Sequence, residues 1–558
     1  MIRRFIIILI CILPILKTEA QPKHEIRAAW LTTAYGLDWP KEKANSPAGI
    51  KRQKDELRHI LDELKTANFN TILFQTRIRG DVIYPSSIEP YSSAFTGKSG
   101  KNPGYDPLAF AIEECHKRGM EFHAWVVAIP LGRANHVKSL GKSSVTKRRP
   151  AICKQYKGEW FLDPGNPGTK EYLSSIIKEI ITGYDVDGIH LDYIRYSDRP
   201  ANFPDKNTYK KYGKGKTLNN WRRDNITAIV RHIYHDVKAM KPWVKVSSSP
   251  VGKFKDTSRY SSYGWNAYNT VFQDAQGWLR EGIHDILFPM MYFNGNQFYP
   301  FALDWKEKCF KRHVVPGLGI YFLHPNEKNW PLEDIERQIN FTRSQKMAGQ
   351  AYYRTQFLID NTKGLLDQLN SNHYIYPAVT PAMTWMDNIP PSSPSHLKKE
   401  DTDGDYFLSW QPSVDNNTRI KPYYTIYASN TYPVDINNPA NIVATRVREN
   451  TYSYSPIYPG DKKRYFAVTA SDRYGNESDC SQFDIPETIT FLSYDENVTY
   501  LPILPNARYV TITDITGRAV LSCPYDKQLP ISQLEKGHYK ILVTDNLERI
   551  VYQGAVNK

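Results

Sequence analysis

The sequence is poor in cysteine and lacks the short motifs that mark common catalytic and metal centres. Its 558 residues include 6 cysteines, which are scattered and form no CxxC pair. An HExxH zinc motif, a GxSxG nucleophile elbow and a phosphate-binding glycine loop are all absent from it. We therefore expect neither a metal nor a cofactor, and stability that comes from core burial rather than from disulfides.

Long apolar runs are also scarce, and the only extended one stands at the start of the chain. Arg3 and Arg4 precede apolar residues 5–16, and Thr18 and Ala20 are small residues suited to a cleavage site. This pattern predicts an export signal over residues 1–20, because the run is too short for a comfortable membrane span. We expect an exported protein, in the periplasm, on the cell surface or outside the cell, with no membrane span.

Acidic residues are fewer than basic ones, 58 against 72, and the formal net charge is +14. No basic run with interleaved aromatics indicates a nucleic-acid groove, and export argues against a nucleic-acid partner. The charge suits anionic envelope polymers, although a lysine-rich solvated surface is the explanation we favour. The sequence is instead rich in tyrosine, with 38 residues, and has 12 tryptophans. Such rings stack on sugars, and they also fill β-rich cores.

Strand-like and helix-like segments alternate over residues 25–385. Eight apolar or β-rich runs are separated by amphipathic stretches, which predicts an α/β fold, a (β/α)8 TIM barrel. A doubly wound sheet is the alternative, but no glycine-rich phosphate loop follows the first strand. The eight predicted strands are residues 26–33, 71–77, 121–129, 186–196, 244–250, 286–292, 314–322 and 349–355.

Small all-β sandwich domains are predicted after the barrel. Residues 388–394 are rich in proline and serine, as in a linker. Short alternating strands over residues 390–485, with an early Trp410, resemble a fibronectin type III sandwich. Residues 487–558 resemble the C-terminal sorting or adhesion-like β domain of exported bacterial proteins, with a plain β-sandwich spacer as the alternative. These modules are candidates for envelope association.

The leading catalytic candidate ends the fourth predicted strand. Alternation along this strand turns His190 and Asp192 into the barrel mouth, and turns Ile189 and Leu191 toward the outer helices. A carboxylate at the end of an apolar strand is either paired or functional, because burying it unpaired is costly. Asp192 is therefore predicted to be catalytic, and anchoring Arg195 is its structural alternative.

A glycan is the substrate class that fits such a mouth. Glycoside hydrolysis needs two carboxyl groups flanking the scissile bond, and Asp81 or Glu89 could join Asp192. Asp81 is equally suited to capping a turn, and His123 to being a satisfied core histidine. The predicted substrate-binding residues are Arg77, His123, Trp125, His190, Tyr193, Tyr196, Tyr292 and Tyr353.

Motifs across residues 25–380 resemble the glycoside-hydrolase-like family ten group. They include RAAWLTT at residues 27–33, NTILFQTR at residues 70–77, GYDPL at residues 104–108 and VDGIHLD at residues 186–192. The resemblance implies a bacterial exported barrel glycosidase, with cleavage of cell-wall glycan strands as the associated activity. Tyr193 follows Asp192 where the family pattern has a second acidic residue.

Two functions remain open at this stage. The first is an exported glycoside hydrolase that cleaves O-glycosidic bonds of a bacterial envelope or environmental polysaccharide, with peptidoglycan glycan strands favoured. The second is a non-catalytic glycan-binding or surface scaffold protein that retains the barrel. The discriminating feature is whether two carboxyl groups converge at the mouth, about 5–10 Å apart.

Overall fold

The computed structural model describes residues 21–198, 200–402, 405–415, 420–456, 462–483, 490–492, 494–495, 497–504, 507–546 and 550–558. The predicted export signal lies outside the described residues. Within these ranges the five cysteines, Cys115, Cys153, Cys309, Cys480 and Cys523, are all free thiols. No helix in the described part of the chain has the length and apolar character needed to cross a membrane.

Twelve strands precede residue 390. They are β1 (Ile26–Leu31), β2 (Thr71–Arg77), β3 (Glu121–Val127), β4 (Pro130–Arg133), β5 (Cys153–Tyr156), β6 (Glu159–Leu162), β7 (Gly188–Asp192), β8 (Lys245–Ser248), β9 (Ile286–Leu287), β10 (His313–Val314), β11 (Gly317–Leu318) and β12 (Gly349–Tyr352). Nine of them form one parallel sheet in the order β10-β9-β8-β7-β3-β2-β1-β12-β11. The other three, β4, β5 and β6, form a small antiparallel sheet.

Two short strands, β10 and β11, together occupy the seventh strand position and close the parallel sheet into a barrel. β10 pairs with β9 and β11 pairs with β12, and only Val315 and Pro316 separate the two pieces. Pro316 has no N–H to donate to the strand ladder, which accounts for the break. Backbone bonds still join this gap to both neighbours, from Val315 N to Leu287 O at 2.9 Å and from Ala351 N to Pro316 O at 3.0 Å. The predicted (β/α)8 barrel is confirmed.

The barrel strands end earlier than the sequence pattern predicts. The fourth ends at Asp192 instead of residue 196, and the eighth ends at Tyr352, after which a helix begins at Thr355. Tyr193 has a φ of 48°, in the left-handed region, so the chain leaves the ladder there. The apolar and aromatic residues beyond these points form mouth loops rather than strands.

Helices cover the outside of the barrel. They are α1 (Pro47–Thr66), α2 (Ser93–Thr96), α3 (Pro107–Lys117), α4 (Ala134–Ser139), α5 (Val145–Arg148), α6 (Pro167–Gly183), α7 (Lys206–Tyr212), α8 (Leu218–Met240), α9 (Ala267–Thr270), α10 (Ala275–Glu281), α11 (Tyr299–Glu307), α12 (Leu332–Ser344), α13 (Thr355–Ile359) and α14 (Leu365–Gln368). The i, i+3, i+4 pattern of α6 buries Leu173, Ile177 and Ile181, as its amphipathic sequence predicts.

Two apolar cores lie on opposite sides of the barrel wall. Outward-facing strand residues such as Ile189 and Leu191 pack against the helices in the larger core. The inward-facing residues form a separate interior cluster, to which Trp30, Trp125 and Phe288 contribute large rings. The alternation predicted for the fourth strand is therefore present, and His190 and Asp192 lie on the interior side.

Seven strands follow the linker and form two facing sheets. They are β13 (Ser395–Thr402), β14 (Asp405–Gln411), β15 (Tyr423–Ser429), β16 (Ile442–Val447), β17 (Thr451–Tyr454), β18 (Tyr465–Ser471) and β19 (Ser481–Gln482). The sheet orders are β13-β14-β17 and β16-β15-β18-β19. Trp410 and Tyr424 pack edge to face in the core between the sheets. The all-β prediction holds here, and the fibronectin type III assignment stays a prediction.

The last part of the chain is a further all-β unit. Its strands are β20 (Thr490–Phe491), β21 (Tyr494–Asp495), β22 (Val498–Tyr500), β23 (Tyr509–Thr513), β24 (Ala519–Pro524), β25 (Gln528–Pro530), β26 (His538–Thr544) and β27 (Ile550–Asn557). They form a sheet in the order β20-β27-β26-β23-β24 and a smaller one in the order β21-β22-β25. Their core contains Val510, Ile512 and Ile541. The sorting or adhesion role of this unit stays a prediction.

Candidate active site

Asp192 lies at the carboxyl end of β7, on the face of the barrel where this fold carries its catalytic groups. The side chain is buried and accepts hydrogen bonds from Trp125 Nε1 at 3.1 Å, Ser249 Oγ at 2.8 Å and the Tyr193 backbone N–H at 2.7 Å. Trp125 belongs to β3 and Ser249 follows β8, the two strands that flank β7. These donors fix the carboxyl group, and none of them is a cation.

Burial raises the pKa of Asp192 above its ordinary value, although hydrogen bonds from Ser249 and Tyr193 and the charge of Arg195 favour the ionised form. A carboxyl group with a raised pKa keeps its proton at higher pH than a free aspartate does. This is the property that a general acid needs.

The raised pKa has a consequence for stability. A group whose pKa is higher in the folded state stabilises the fold most below its unfolded pKa, and that contribution is lost as pH rises through the folded pKa. The Asp192→Asn variant lacks this loss. We expect the free energy of unfolding of the variant, relative to that of the wild type, to rise as the pH is raised from 3 to 7. Urea unfolding at both pH values checks this, and a relative stability that falls over this range would contradict it.

Tyr193 is the residue of the site with the most unusual backbone. Its φ of 48° is one that a bulky side chain rarely adopts, and strain of this kind concentrates at functional sites. The ring lies 4.6 Å from the Arg195 guanidinium carbon and 6.0 Å from that of Arg79. Tyr193 is only partly buried, so its ring is available at the mouth between two cations.

Three more tyrosines form a wall beside Asp192. Tyr292 and Tyr353 stack with ring centroids 5.4 Å apart, and Tyr321 meets them edge to face at 5.8 and 5.9 Å. Burial raises the pKa of Tyr292 well above its ordinary value, with the charges of Tyr353 and Asp192 as further causes. All three rings remain partly exposed. The structure thus brings Asp192, Tyr193, Tyr292 and Tyr353 together, and adds Tyr321.

His190 and Trp125 lie inside the barrel rather than on an open surface. His190 is buried between Trp30 Nε1, 3.2 Å from its Nε2, and Ser247 Oγ, 3.0 Å from its Nδ1. Burial holds the pKa of His190 well below its usual range, so the ring is neutral. Trp125 is 4% exposed, which leaves no open face for a sugar ring. The expectation that Trp125 is a stacking platform is therefore revised: its contribution is the N–H that it donates to Asp192.

Trp125→Phe tests this role. The substitution keeps an aromatic ring in the interior and removes one hydrogen bond to the charged form of Asp192. The pKa of Asp192 should rise further, and the free energy of unfolding should fall by about 1–2 kcal/mol. The pH dependence of hydrolysis and urea unfolding measure the two effects. If the hydrolytic activity of the variant falls off at the same alkaline pH as that of the wild type, the hydrogen bond has no influence on the pKa of Asp192.

Arg77, Glu89 and His123 are buried and engaged by neighbouring groups. Glu89 accepts from Arg77 Nε at 2.8 Å, Arg77 Nη2 at 2.7 Å and the Tyr172 hydroxyl at 2.6 Å. His123 Nε2 lies 3.0 Å from Oε2 of Glu121, the first residue of β3. These partners satisfy the charges of Arg77 and Glu89, so the pair fits a structural role better than the predicted catalytic and substrate-binding ones.

Asp81 and Tyr196 are also fully buried. Asp81 accepts from the backbone N–H of Arg79 at 2.9 Å, which is the turn-capping alternative, and burial raises its pKa. The Tyr196 ring packs against Phe203 and Phe272 and is 1% exposed. Neither residue presents a free polar group at the mouth, which does not favour their predicted catalytic and substrate-binding roles.

Two cavities open at the mouth beside Tyr193. One, of about 420 Å³, is lined by Tyr193, Arg195 and Tyr196 together with Phe161, Lys157 and other residues of the β5–β6 hairpin. The other, of about 690 Å³, is lined by Tyr35, Arg133 and His136 among others. Arg79 and Glu159 contribute to both. The two cavities therefore form a continuous lining around Arg79 and Glu159, which we call the mouth cleft.

Three further residues of the mouth, besides Tyr321, were not predicted from the sequence. Glu159, at the start of β6, is a carboxylate of the mouth cleft, and its side chain is 37% exposed. Tyr35 is 77% exposed in the same cleft, so its ring can stack on a sugar. Asp38 follows β1 and is buried, with an ion pair to Arg354 and a 2.9 Å bond from the Gln356 backbone. Glu159 lies in an inserted hairpin, whose position no strand pattern of the barrel predicts.

No group of three or more His, Cys, Asp or Glu side chains in the described ranges is arranged to hold a metal ion. The chemistry of the mouth is that of a buried carboxyl group, an exposed carboxylate, tyrosine rings and guanidinium groups.

Known proteins share much of this chain. It is 31% identical to Glycosyl hydrolase YngK of Bacillus subtilis (strain 168) over 488 residues, which cover 83% of this chain and 94% of that protein. It is 32% identical to Glycosyl hydrolase DigH of Escherichia coli (strain K12) over 297 residues, 50% of this chain and 67% of that protein. The glycoside hydrolase domain of PgaB (BpsB) from Bordetella bronchiseptica aligns with a TM-score of 0.45 at 15% identity, covering 62% of this chain and 98% of that domain.

The barrel, its mouth and these sequence relatives define a carbohydrate-active enzyme of the (β/α)8 class. The family model described as Glycosyl hydrolase-like 10 matches residues 25–326. The chain belongs to this family, and the resemblance found in its motifs is confirmed.

Proposed function

We propose that the protein is an exported glycoside hydrolase that cleaves O-glycosidic bonds of a bacterial envelope or environmental polysaccharide, with peptidoglycan glycan strands as the favoured substrate. The observation that carries the proposal is Asp192. It is a buried carboxyl group with a raised pKa at the carboxyl end of a barrel strand, beside a wall of tyrosines. Family membership supports the same class of reaction.

Asp192 is suited to the role of general acid. A protonated carboxyl group can donate its proton to the glycosidic oxygen as the bond to the sugar breaks, and it is left as a carboxylate. The hydrogen bonds from Trp125, Ser249 and the Tyr193 backbone then stabilise the new charge. Tyr193, Tyr292 and Tyr353 offer faces and hydroxyl groups to the sugars on either side.

Glu159 is our candidate for the second carboxylate. Asp81 caps the Arg79 turn and Glu89 is paired with Arg77 and Tyr172, whereas Glu159 is exposed in the mouth cleft. An ionised carboxylate there can activate water or attack the sugar carbon. We therefore transfer the predicted role of Asp81 or Glu89 to Glu159.

One observation favours the alternative of a non-catalytic glycan-binding protein. The two carboxyl groups predicted to accompany Asp192 have structural partners, so the acid–base pair depends on an exposed residue of an inserted hairpin. A protein of this kind would keep the tyrosine wall and bind glycans without cutting them.

Incubation of the purified protein with a panel of glycans tests the proposal. The panel contains peptidoglycan glycan strands, chitin oligosaccharides and a neutral α-glucan, and new reducing ends are counted over time. We expect release of reducing ends from the peptidoglycan strands. A protein that binds one of these glycans and releases no reducing ends from any would favour the scaffold alternative.

A further inference from the structure

The mouth cleft has an excess of positive charge. Its walls contain the cationic side chains of Arg79, Arg133, Lys157 and Arg195, against the carboxylates of Glu159 and Asp198. The four cations and two carboxylates give the lining a formal charge of +2, which attracts anions.

The two carboxylates do not neutralise all of these cations. Asp198 is paired with Arg195, and Glu159 lies 3.8 Å from Arg133. Within the described part of the chain, Arg79 and Lys157 have no carboxylate within ion-pair distance. Arg79 lines both cavities and is partly buried, so its guanidinium is a cation held at the centre of the cleft.

Arg195 brings a buried donor without a partner to the same cleft. Its side chain is 6% exposed, and its Nε has no hydrogen-bond acceptor. The Ser197 hydroxyl, in the same cavity wall, is likewise buried and unpartnered. A buried donor that lacks an acceptor costs about 1–3 kcal/mol, so the wall of the cleft carries hydrogen-bonding capacity that the protein itself does not satisfy.

The loop after β2 is built to hold Arg79 in position. The Asp81 carboxylate accepts from the Arg79 backbone N–H at 2.9 Å, and His136 Nε2 lies 3.0 Å from the Arg79 carbonyl oxygen. Gly80, at a φ of 79°, makes the turn between them. These contacts fix the backbone from which the Arg79 side chain extends, and its guanidinium carbon lies 6.0 Å from the centre of the Tyr193 ring that Arg195 also contacts. Asp81 is thus a positioning residue for Arg79.

We propose that the mouth cleft selects an acidic glycan, and that Arg79 and Arg195 bind a carboxylate of a sugar seated on the Tyr193 ring. Guanidinium groups form paired, charge-assisted hydrogen bonds with carboxylates, and their planar faces tolerate an adjacent aromatic ring. The inference deepens the proposed function and rests on it for the site, because it names the substrate class of the same mouth. It specifies that the bound sugar carries an anionic group, which a neutral polysaccharide lacks.

A pair of matched ligands tests the inference. The first is a peptidoglycan glycan strand with free carboxylates, and the second is the same strand after its carboxylates are converted to neutral amides. Binding is measured by calorimetry in the Asp192→Asn background, so that neither strand is cut. We expect the acidic strand to bind at least about tenfold more tightly than the amidated one, with a difference that shrinks at 1 M salt.

Arg79→Gln should remove most of that difference. The variant is expected to lose about tenfold or more in affinity for the acidic strand and less than twofold for the amidated strand. Arg280→Gln, an exposed arginine on the outer helix α10, is the matched control and should change neither affinity. Melting curves of both variants separate a loss of binding from a loss of folding.

Equal affinities for the acidic and amidated strands, or an Arg79→Gln variant that weakens both equally, would overturn the inference. Neither result bears on hydrolysis, which the wild-type glycan panel measures separately. A protein that prefers the acidic strand but cuts no glycan would leave the inference standing and overturn the proposed hydrolase.

Discussion

The Asp192→Asn variant is expected to lose hydrolysis by about a thousandfold or more in kcat while it still binds glycan. The substitution preserves the size and shape of the side chain and removes the proton that a general acid donates. General acid–base catalysis contributes about 10²–10⁴-fold, and a group that acts mainly in the transition state affects kcat more than KM. Initial rates of reducing-end release, with KM measured over a range of strand concentrations, check the prediction.

The conservative replacement separates chemistry from packing. Ser249 and the Tyr193 N–H donate to Oδ1 of Asp192 and Trp125 donates to Oδ2, so the single amide oxygen of asparagine keeps two of the three hydrogen bonds. Asp224→Asn, on the exposed face of α8, is the matched control and should retain full activity. Glu159→Gln should also reduce kcat strongly if it is the second carboxylate. An Asp192→Asn enzyme with wild-type kcat would move the acid role to Asp38 or Glu159.

Much of the barrel could be predicted because its signals are local and periodic. The alternation of Ile189 and Leu191 with His190 and Asp192 follows from the two faces of a strand, and the structure divides them between two cores in that way. The break at Pro316 and the early end of β7 at Tyr193 depend on single residues that override the apolar pattern. Periodicity cannot show where such a strand stops.

The site could be predicted only in part, because burial and pairing are properties of the assembled structure. Asp192 ends one barrel strand, and Tyr292 and Tyr353 follow two others. The three side chains therefore meet at one end of the barrel. Trp125 also stands on a strand, yet its ring turns inward and is buried, which the alternation alone cannot distinguish from an exposed platform. Glu89 pairs with Arg77, 12 residues earlier in the chain, across a loop whose shape no motif specifies.

A buried ionic network joins the opposite end of the barrel to the sandwich that follows it. Asp187 precedes β7 and Glu121 begins β3, and both are buried. The guanidinium of Arg446, from β16 of the sandwich, forms ion pairs with both of them, at 3.4 Å in the case of Glu121. It also lies 4.4 Å from the Tyr423 ring. One cationic side chain therefore bridges two carboxylates at the base of the barrel.

The charges of this network are strongly coupled to folding. Burial alone would raise the pKa of Asp187, but Arg446 and His116 outweigh it and hold that pKa well below its ordinary value. A depressed pKa contributes stability above the unfolded pKa, and this contribution is lost as pH falls through the folded value. The contact between the barrel and the sandwich is thus expected to be strongest near neutral pH and to weaken in acid.

Arg446→Met is expected to lower the free energy of unfolding by about 3–5 kcal/mol at pH 7. The substitution keeps an unbranched apolar side chain, but it removes the guanidinium and leaves the carboxylates of Asp187 and Glu121 buried with one cation fewer. Urea unfolding followed by tryptophan fluorescence measures the loss, which should shrink below pH 4. Lys421→Met, an exposed cation 3.8 Å from Glu449 on the same sandwich, is the matched control and should cost less than about 1 kcal/mol. Glu121 is also paired with Lys245, and Asp187 with Arg473 and His116. An Arg446→Met protein as stable as the control would show that these other cations suffice for the two carboxylates and that Arg446 contributes no stability to the barrel.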